Sequence, residues 1–155
     1  MALMIGSQLP CLDDVADWIY DLDFHWRSPG HPTLIQVWAI SCPMCKHNMP
    51  RLQNLVKGYA KFGLQLISIH MPRSESDMDV EKVKVAVQEL GLTGPYAIDN
   101  DHAIGNLFQT GGAWPYYFLF DAEGKLRSRA AGSLGLKMAE NSLKRLLELQ
   151  EASNE

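Results

Sequence analysis

An α/β sandwich, a mixed central sheet flanked by helices, is predicted for this 155-residue chain by three features. Two nearly continuous apolar runs, Thr33 to Ile40 and Leu64 to Ile69, read as central strands covered on both faces. Each is followed by a stretch with apolar residues at helical spacing, the pattern of strands joined through crossover helices. A hairpin and an amphipathic helix then close the chain. At this length one domain buries ~70% of the surface its unfolded form exposes, so no disulfide scaffold is needed. A single domain over residues 1–155 is expected, with 1–30 as an N-terminal extension and 30–150 as the core.

From the N-terminus, Trp18, Tyr20, Phe24 and Trp26 alternate within Asp13 to Arg27, which suggests an extra strand or hairpin despite the charges among them. The Thr33–Ile40 run leads into a helix whose stripe is Cys45, Met49, Leu52, Leu55, Val56 and Tyr59, with Lys46, Asn48, Arg51, Gln53 and Lys57 mostly off it. Pro50 lies inside this helix, removes the bond to the Lys46 carbonyl and is expected to kink it, at a cost of ~3 kcal/mol that packing must offset. A polar loop from Met71 to Ser76 precedes a second helix, capped by Asp77 or Asp79, buried through Val80, Val83, Val87 and Leu90, and ended by Gly91. Pro95 to Ile98 reads as a short strand, Asp101 as the cap of a short helix to about Gln109, and Gly111-Gly112 as a break. Tyr116 to Phe120 and Lys125 to Ala130 flank the Asp121–Gly124 turn as a hairpin, and Lys125, Arg127 and Arg129 give its second strand a charged edge that discourages sheet-to-sheet pairing. Leu136, Ala139, Leu143, Leu146, Leu147 and Gln150 mark the last helix.

Composition excludes several classes of function. A hydrophobic content of 46% with 21% charged residues fits a soluble globular protein rather than a disordered one. The net charge of -4 and the lack of a long basic run argue against nucleic acid as a partner. No apolar stretch approaches the ~20 residues of a membrane helix, so no membrane partner is expected. Residues 1–10 have neither a Lys or Arg nor the apolar length of a secretion signal, and a cytoplasmic monomer is expected. Three cysteines in a reducing compartment cannot form a structural disulfide framework, so the close pair Cys42 and Cys45 points to redox chemistry or metal binding, with Cys11 left over as a free thiol.

Cys42-Pro43-Met44-Cys45 stands where a strand gives way to a helix. Two thiols at this spacing can close into a disulfide and reopen, and the amide dipoles of a helix start, with Lys46 close by, lower a thiol pKa from ~8.5 toward neutrality. Metal binding competes, because Cys42, Cys45 and His47 are zinc-ligand types, but a structural site needs four ligands and Cys42 and His47 point apart on a helix. A pair of inert buried thiols is the third reading.

The run Trp38-Ala39-Ile40-Ser41-Cys42-Pro43-Met44-Cys45-Lys46, the proline at Pro50 and the pair Trp114-Pro115 before a strand resemble the thioredoxin superfamily, and more narrowly its redoxin branch of TlpA, ResA and soluble YkuV-like proteins. The resemblance spans about residues 30 to 150. It implies a thioredoxin-like three-layer sandwich and a disulfide oxidoreductase in which Cys42 is the exposed nucleophile and Cys45 the buried resolving thiol. It also implies that Pro115 is a cis-proline that faces the pair and helps to hold the substrate strand, beside which Trp114 reads either as an apolar platform for the substrate or as core. The chain departs from the pattern at Gln36, where thioredoxins carry a buried acid, at Ser41 in place of Trp, and at Trp114 in place of Thr, Val or Ile; after the second strand stands Arg73 rather than an acid.

The function so implied is a cytoplasmic disulfide reductase. Its substrates would be protein or small-molecule disulfides, with an external thiol donor such as thioredoxin or a glutathione-type reductant and no bound cofactor. Pro43, Met44, Lys46, Arg73 and Glu75 are the candidate tuning residues, and His70 also follows the second strand within possible reach of the pair. A thiol peroxidase is the enzyme alternative, against which stands Ala39 where such redoxins carry Thr or Ser. A thioredoxin-like metal- or partner-binding module is the non-enzymatic one.

Overall fold

The computed structural model describes residues 3–13, 15–19 and 30–153, side chains through 148. Strands β1 (Asp17–Ile19), β2 (Thr33–Trp38), β3 (Gln65–His70), β4 (Tyr96–Ile98), β5 (Tyr116–Phe120) and β6 (Leu126–Ala131) form one sheet in the order β1-β4-β3-β2-β5-β6. Strands β4, β3 and β2 run parallel, and β1, β5 and β6 are antiparallel to their neighbours. Helices α1 (Pro43–Tyr59), α2 (Val80–Leu90), α3 (Ala103–Phe108) and α4 (Gly132–Ser153) fill the connections and the C-terminal end.

Every residue of β2 is buried, as its unbroken apolar run requires. Alternate side chains feed two cores. On one face Leu34, Trp38 and Leu66 meet the stripe of α1, Val83 and Val87 of α2, and Leu136, Ala139 and Leu143 of α4. On the other, Ile35, Val37, Ile67 and Ile69 meet Ile104 and Phe108 of α3 together with Leu3, Leu9 and Leu12. This gives a three-layer α/β sandwich, and residues from the N-terminal 30 are part of its second core. Among the described residues no helix is long and apolar enough to cross a membrane.

Pro50 lies inside α1, as expected. Other expectations need correction. Asp79, not Asp77, caps α2, accepting from the Glu81 and Lys82 amides at 3.1 and 3.4 Å. Asp101 does not cap α3; Asp99 does, its carboxylate taking the Ile104 and Gly105 amides at 3.1 and 3.0 Å. The turn before α3 passes through His102 in the left-handed region, φ 58°, which brings an acid five residues back onto the helix start. Trp18 lies in β1 against β4, whereas Tyr20, Phe24 and Trp26 fall outside the described residues.

The outer strand β6 is guarded less by solvated charge than by cross-links. Arg127 pairs with Asp121 at 2.7 Å, and Arg129 donates to the carbonyls of Leu3 and Gln109 at 2.8 and 3.0 Å. The N-terminal segment lies along the same strand, the Gly6 amide donating to the Leu126 carbonyl and the Leu126 amide to the Ser7 carbonyl.

Candidate active site

Strand β2 ends at Trp38, and a turn closed by the Cys42 amide on the Ala39 carbonyl at 3.1 Å delivers the chain to α1. Cys42 is the N-cap of that helix. Its backbone is extended, φ -93° and ψ 107°, and its Sγ accepts the Cys45 amide at 3.1 Å. Pro43 takes the first helical position, where a missing N–H loses no bond. The first turn carries no acid, so nothing there neutralises the positive end of the helix dipole. Cys42 and Cys45 are joined by a disulfide with Cα atoms 5.3 Å apart.

The expected contrast of an exposed Cys42 and a buried Cys45 is not seen in this oxidised form, where they are 3% and 2% exposed. The difference between them is directional. Cys42 lines a hollow of about 530 Å3 whose other walls are Pro43, Met44, Arg73, Gly112, Ala113 and Trp114, and Cys45 packs into the core beneath it. Gly111 and Gly112 have φ of 61° and 72°, a backbone that suits glycine and brings the chain across from the pair. The Trp114–Pro115 peptide is cis. Trp114 is held by a bond from its indole Nε1 to the Met71 carbonyl at 2.8 Å and by edge contact with His102.

The turn that carries Cys42 is clamped by the end of β3 and the loop after it. His70, fully buried, accepts the Ile40 amide at Nε2 over 3.1 Å, and its ring meets Trp38 edge-on. Accepting that bond requires the proton on Nδ1, which has no hydrogen-bond partner among the described residues. Burial pushes His70 from 6.5 down to about 4, outweighing the opposing pull of the Asp77 carboxylate, so the ring is neutral at physiological pH. Asp77 accepts from the Ser41 hydroxyl at 2.6 Å and the Arg73 amide at 3.0 Å. Burial works against its carboxylate, but those bonds outweigh it and hold Asp77 below its ordinary value. The Arg73 guanidinium donates through Nη1 to the Ser41 carbonyl at 2.8 Å.

Behind the pair lies a second polar set. Asn48, predicted off the buried stripe, is 4% exposed; it donates to the Tyr117 hydroxyl at 3.3 Å and accepts from Ser133 at 3.1 Å. Burial pushes the Tyr117 phenol up, against the bond from Asn48. Gln36 is buried and donates to Ser68 at 2.8 Å, a neutral amide where an acid would take a proton.

Two of the candidate tuning residues lie elsewhere. Lys46 lines a separate hollow with Ile40, Glu81, Lys82 and Glu89, because the next helical step turns it away from Cys42. Glu75 is exposed on a short 3-10 helix, Glu75–Met78, that turns Asp77 inward instead. In the sequence Asp77 is indistinguishable from a helix cap, which hides its place beside Ser41. Asn48 was discoverable, since it stands three residues after Cys45 and so on the same helix face. Among the described residues no group of three or more His, Cys, Asp or Glu could hold a metal ion.

The Redoxin family model matches residues 14–147. Thiol-disulfide oxidoreductase YkuV of Bacillus subtilis is 40% identical over 116 residues, covering 75% of this chain and 77% of its own length. Thiol-disulfide oxidoreductase ResA of Geobacillus thermodenitrificans is 28% identical over 135 residues, 86% of this chain and 72% of the relative. A solution structure of a thioredoxin-like protein in the oxidised form superposes with a TM-score of 0.76 at 33% identity, over 96% of this chain and 98% of that one. With a dithiol pair at a helix start and most of its length matched, this chain belongs to the Redoxin family, as a thiol-disulfide oxidoreductase of thioredoxin-like fold.

Proposed function

We propose that the protein is a disulfide reductase that cycles Cys42 and Cys45 between dithiol and disulfide. The carrying observation is the seat of Cys42 as N-cap of α1, its sulfur in hydrogen-bond contact with the Cys45 amide and on the wall of an open hollow. A helix start stabilises the thiolate, which is the attacking species. Cys42 attacks a substrate disulfide, a mixed disulfide forms and one substrate thiolate leaves. Cys45, held within a turn of the same helix, then attacks Cys42, releases the second thiol and leaves the pair oxidised. An external thiol donor restores the dithiol.

Trp114, on the wall of the hollow that Cys42 lines, and Pro115, joined to it by a cis peptide, are assigned to the substrate, Trp114 as an apolar platform at an end of β5 where an extended chain can lie. Pro43 and Met44 shape the rim. A cytoplasmic monomer is the setting we propose, supported by the exposed free thiol of Cys11, which an oxidising compartment tends to consume.

Catalysed reduction of insulin by dithiothreitol tests this reading. The intact protein accelerates precipitation of the insulin chains, and Cys42→Ser returns the rate to that of dithiothreitol alone. Equal rates for the two proteins overturn the proposal.

A further inference from the structure

Among the described residues Arg73 is the only charged one on the wall of the hollow that Cys42 lines; the other walls are Pro43, Met44, Gly112, Ala113 and Trp114. Its position is built at both ends. The backbone amide is fixed on Asp77 at 3.0 Å, and Nη1 is fixed on the carbonyl of Ser41, the residue before Cys42, at 2.8 Å. One face of the fork is thereby spent on the Cys42 turn, while Nε and Nη2 remain as donors. Among the described residues no carboxylate lies within ion-pair distance of the guanidinium, and the Asp77 carboxylate, which takes the Arg73 backbone amide, is occupied by that bond and by Ser41. Lys46, another cation near the start of α1, lines a separate hollow with Glu81, Lys82 and Glu89 and is not on the wall of this one. In a chain with a net charge of -4, the hollow at Cys42 thus carries one oriented positive charge among the described residues.

We propose that Arg73 is a specificity residue that selects disulfides bearing a carboxylate a few bonds from the reacting sulfur. A guanidinium fork matches a carboxylate geometrically as well as electrostatically, which a mobile ammonium does not. The assignment rests on the reductase reading, and its chemistry is that of the same exchange. The Cys42 thiolate forms a bond to one substrate sulfur, the substrate S–S bond breaks, and the departing thiolate takes a proton from water. Cys45 then displaces the second thiol, so two electrons pass from the dithiol to the substrate. Arg73 acts on the first encounter, by holding the carboxylate while the sulfur meets Cys42.

The test is single-turnover reduction by the pre-reduced protein, with no other reductant present, of matched disulfides in two arms. The small-molecule arm compares 3,3′-dithiodipropionate with 2-hydroxyethyl disulfide. The peptide arm compares a disulfide-linked peptide with Glu beside its Cys and the same peptide with Gln. Arg73→Gln removes the Ser41 bond for every substrate, so both rates fall by that shared factor. The carboxylate substrate loses about fivefold more, the factor that an exposed ion pair of ~1 kcal/mol corresponds to. Arg73→Lys restores part of the preference, and raising the salt to 0.5 M shrinks it. A charge preference in one arm alone supports the assignment and names the source of the carboxylate. Equal losses for charged and neutral substrates in both arms overturn it and leave the reductase reading intact. Failure of the unaltered protein to reduce any of the four disulfides overturns both.

Discussion

Cys45→Ala is expected to halt turnover at its midpoint. The variant keeps Cys42 at the cap of α1 and keeps the hollow, so the first exchange proceeds, but nothing remains to resolve the mixed disulfide. Insulin reduction falls on the order of a thousandfold or more, as when a member of a catalytic pair is removed. One substrate chain is retained per protein, released by dithiothreitol and visible by mass spectrometry as an adduct on Cys42. Cys42→Ser loses turnover equally but forms no adduct. If the adduct forms on Cys45 in the Cys42→Ser protein instead, the roles of the two sulfurs are reversed. The burial of both sulfurs in the oxidised form makes this a sharp test, because exposure alone does not rank them.

Acid should loosen the Cys42 turn through His70, the second large effect expected. The ring titrates near 6.5 when unfolded and at about 4 in the folded protein, so between those values the unfolded chain binds the extra proton. Stability is therefore full above pH 6.5, declines as the pH falls toward 4 by ~3 kcal/mol, and levels off below. Asp77 adds a decline of the same sign, but its folded pKa lies below 3.8, so its share is lost mainly at more acid pH. Urea unfolding of the oxidised protein from pH 4 to 7.5 measures the curve. His70→Gln keeps an acceptor for the Ile40 amide without a titrating ring, and the slope from 6.5 to 4 flattens. His70→Leu leaves that amide unpaired and costs ~1–3 kcal/mol at neutral pH. An unchanged slope in His70→Gln contradicts the assignment.

The elements that could be read from the chain are those whose pattern has one physical solution. An unbroken run such as Thr33–Trp38 has to be buried on both faces, and a cysteine pair at a strand–helix junction has few uses in a chain with three cysteines. Polar residues had several solutions, and tertiary contacts chose among them. Asp77 and Asp79 were equivalent as caps until Ser41 and Arg73 claimed Asp77, and Asp99 took the α3 cap from Asp101 because His102 bends the chain back. Asn48 was placed outside on its polarity, yet Tyr117 and Ser133 provide partners that make burial tolerable. Lys46 and Glu75 were assigned by closeness in sequence to the pair or its loop, and helical geometry sends both elsewhere. The clamp on Cys42 comes from a segment some thirty residues away, a distance no local pattern spans.

Equilibration of the protein in buffers of reduced and oxidised glutathione, followed by acid trapping and alkylation, addresses the central claim most directly. The account predicts that Cys42 and Cys45 pass together from two alkylated thiols to none along a single two-electron curve, reached from either side, while Cys11 stays outside the couple. Thiols on Cys42 and Cys45 that stay fully alkylated across the whole range, or that take up glutathione without ever joining each other, would contradict it.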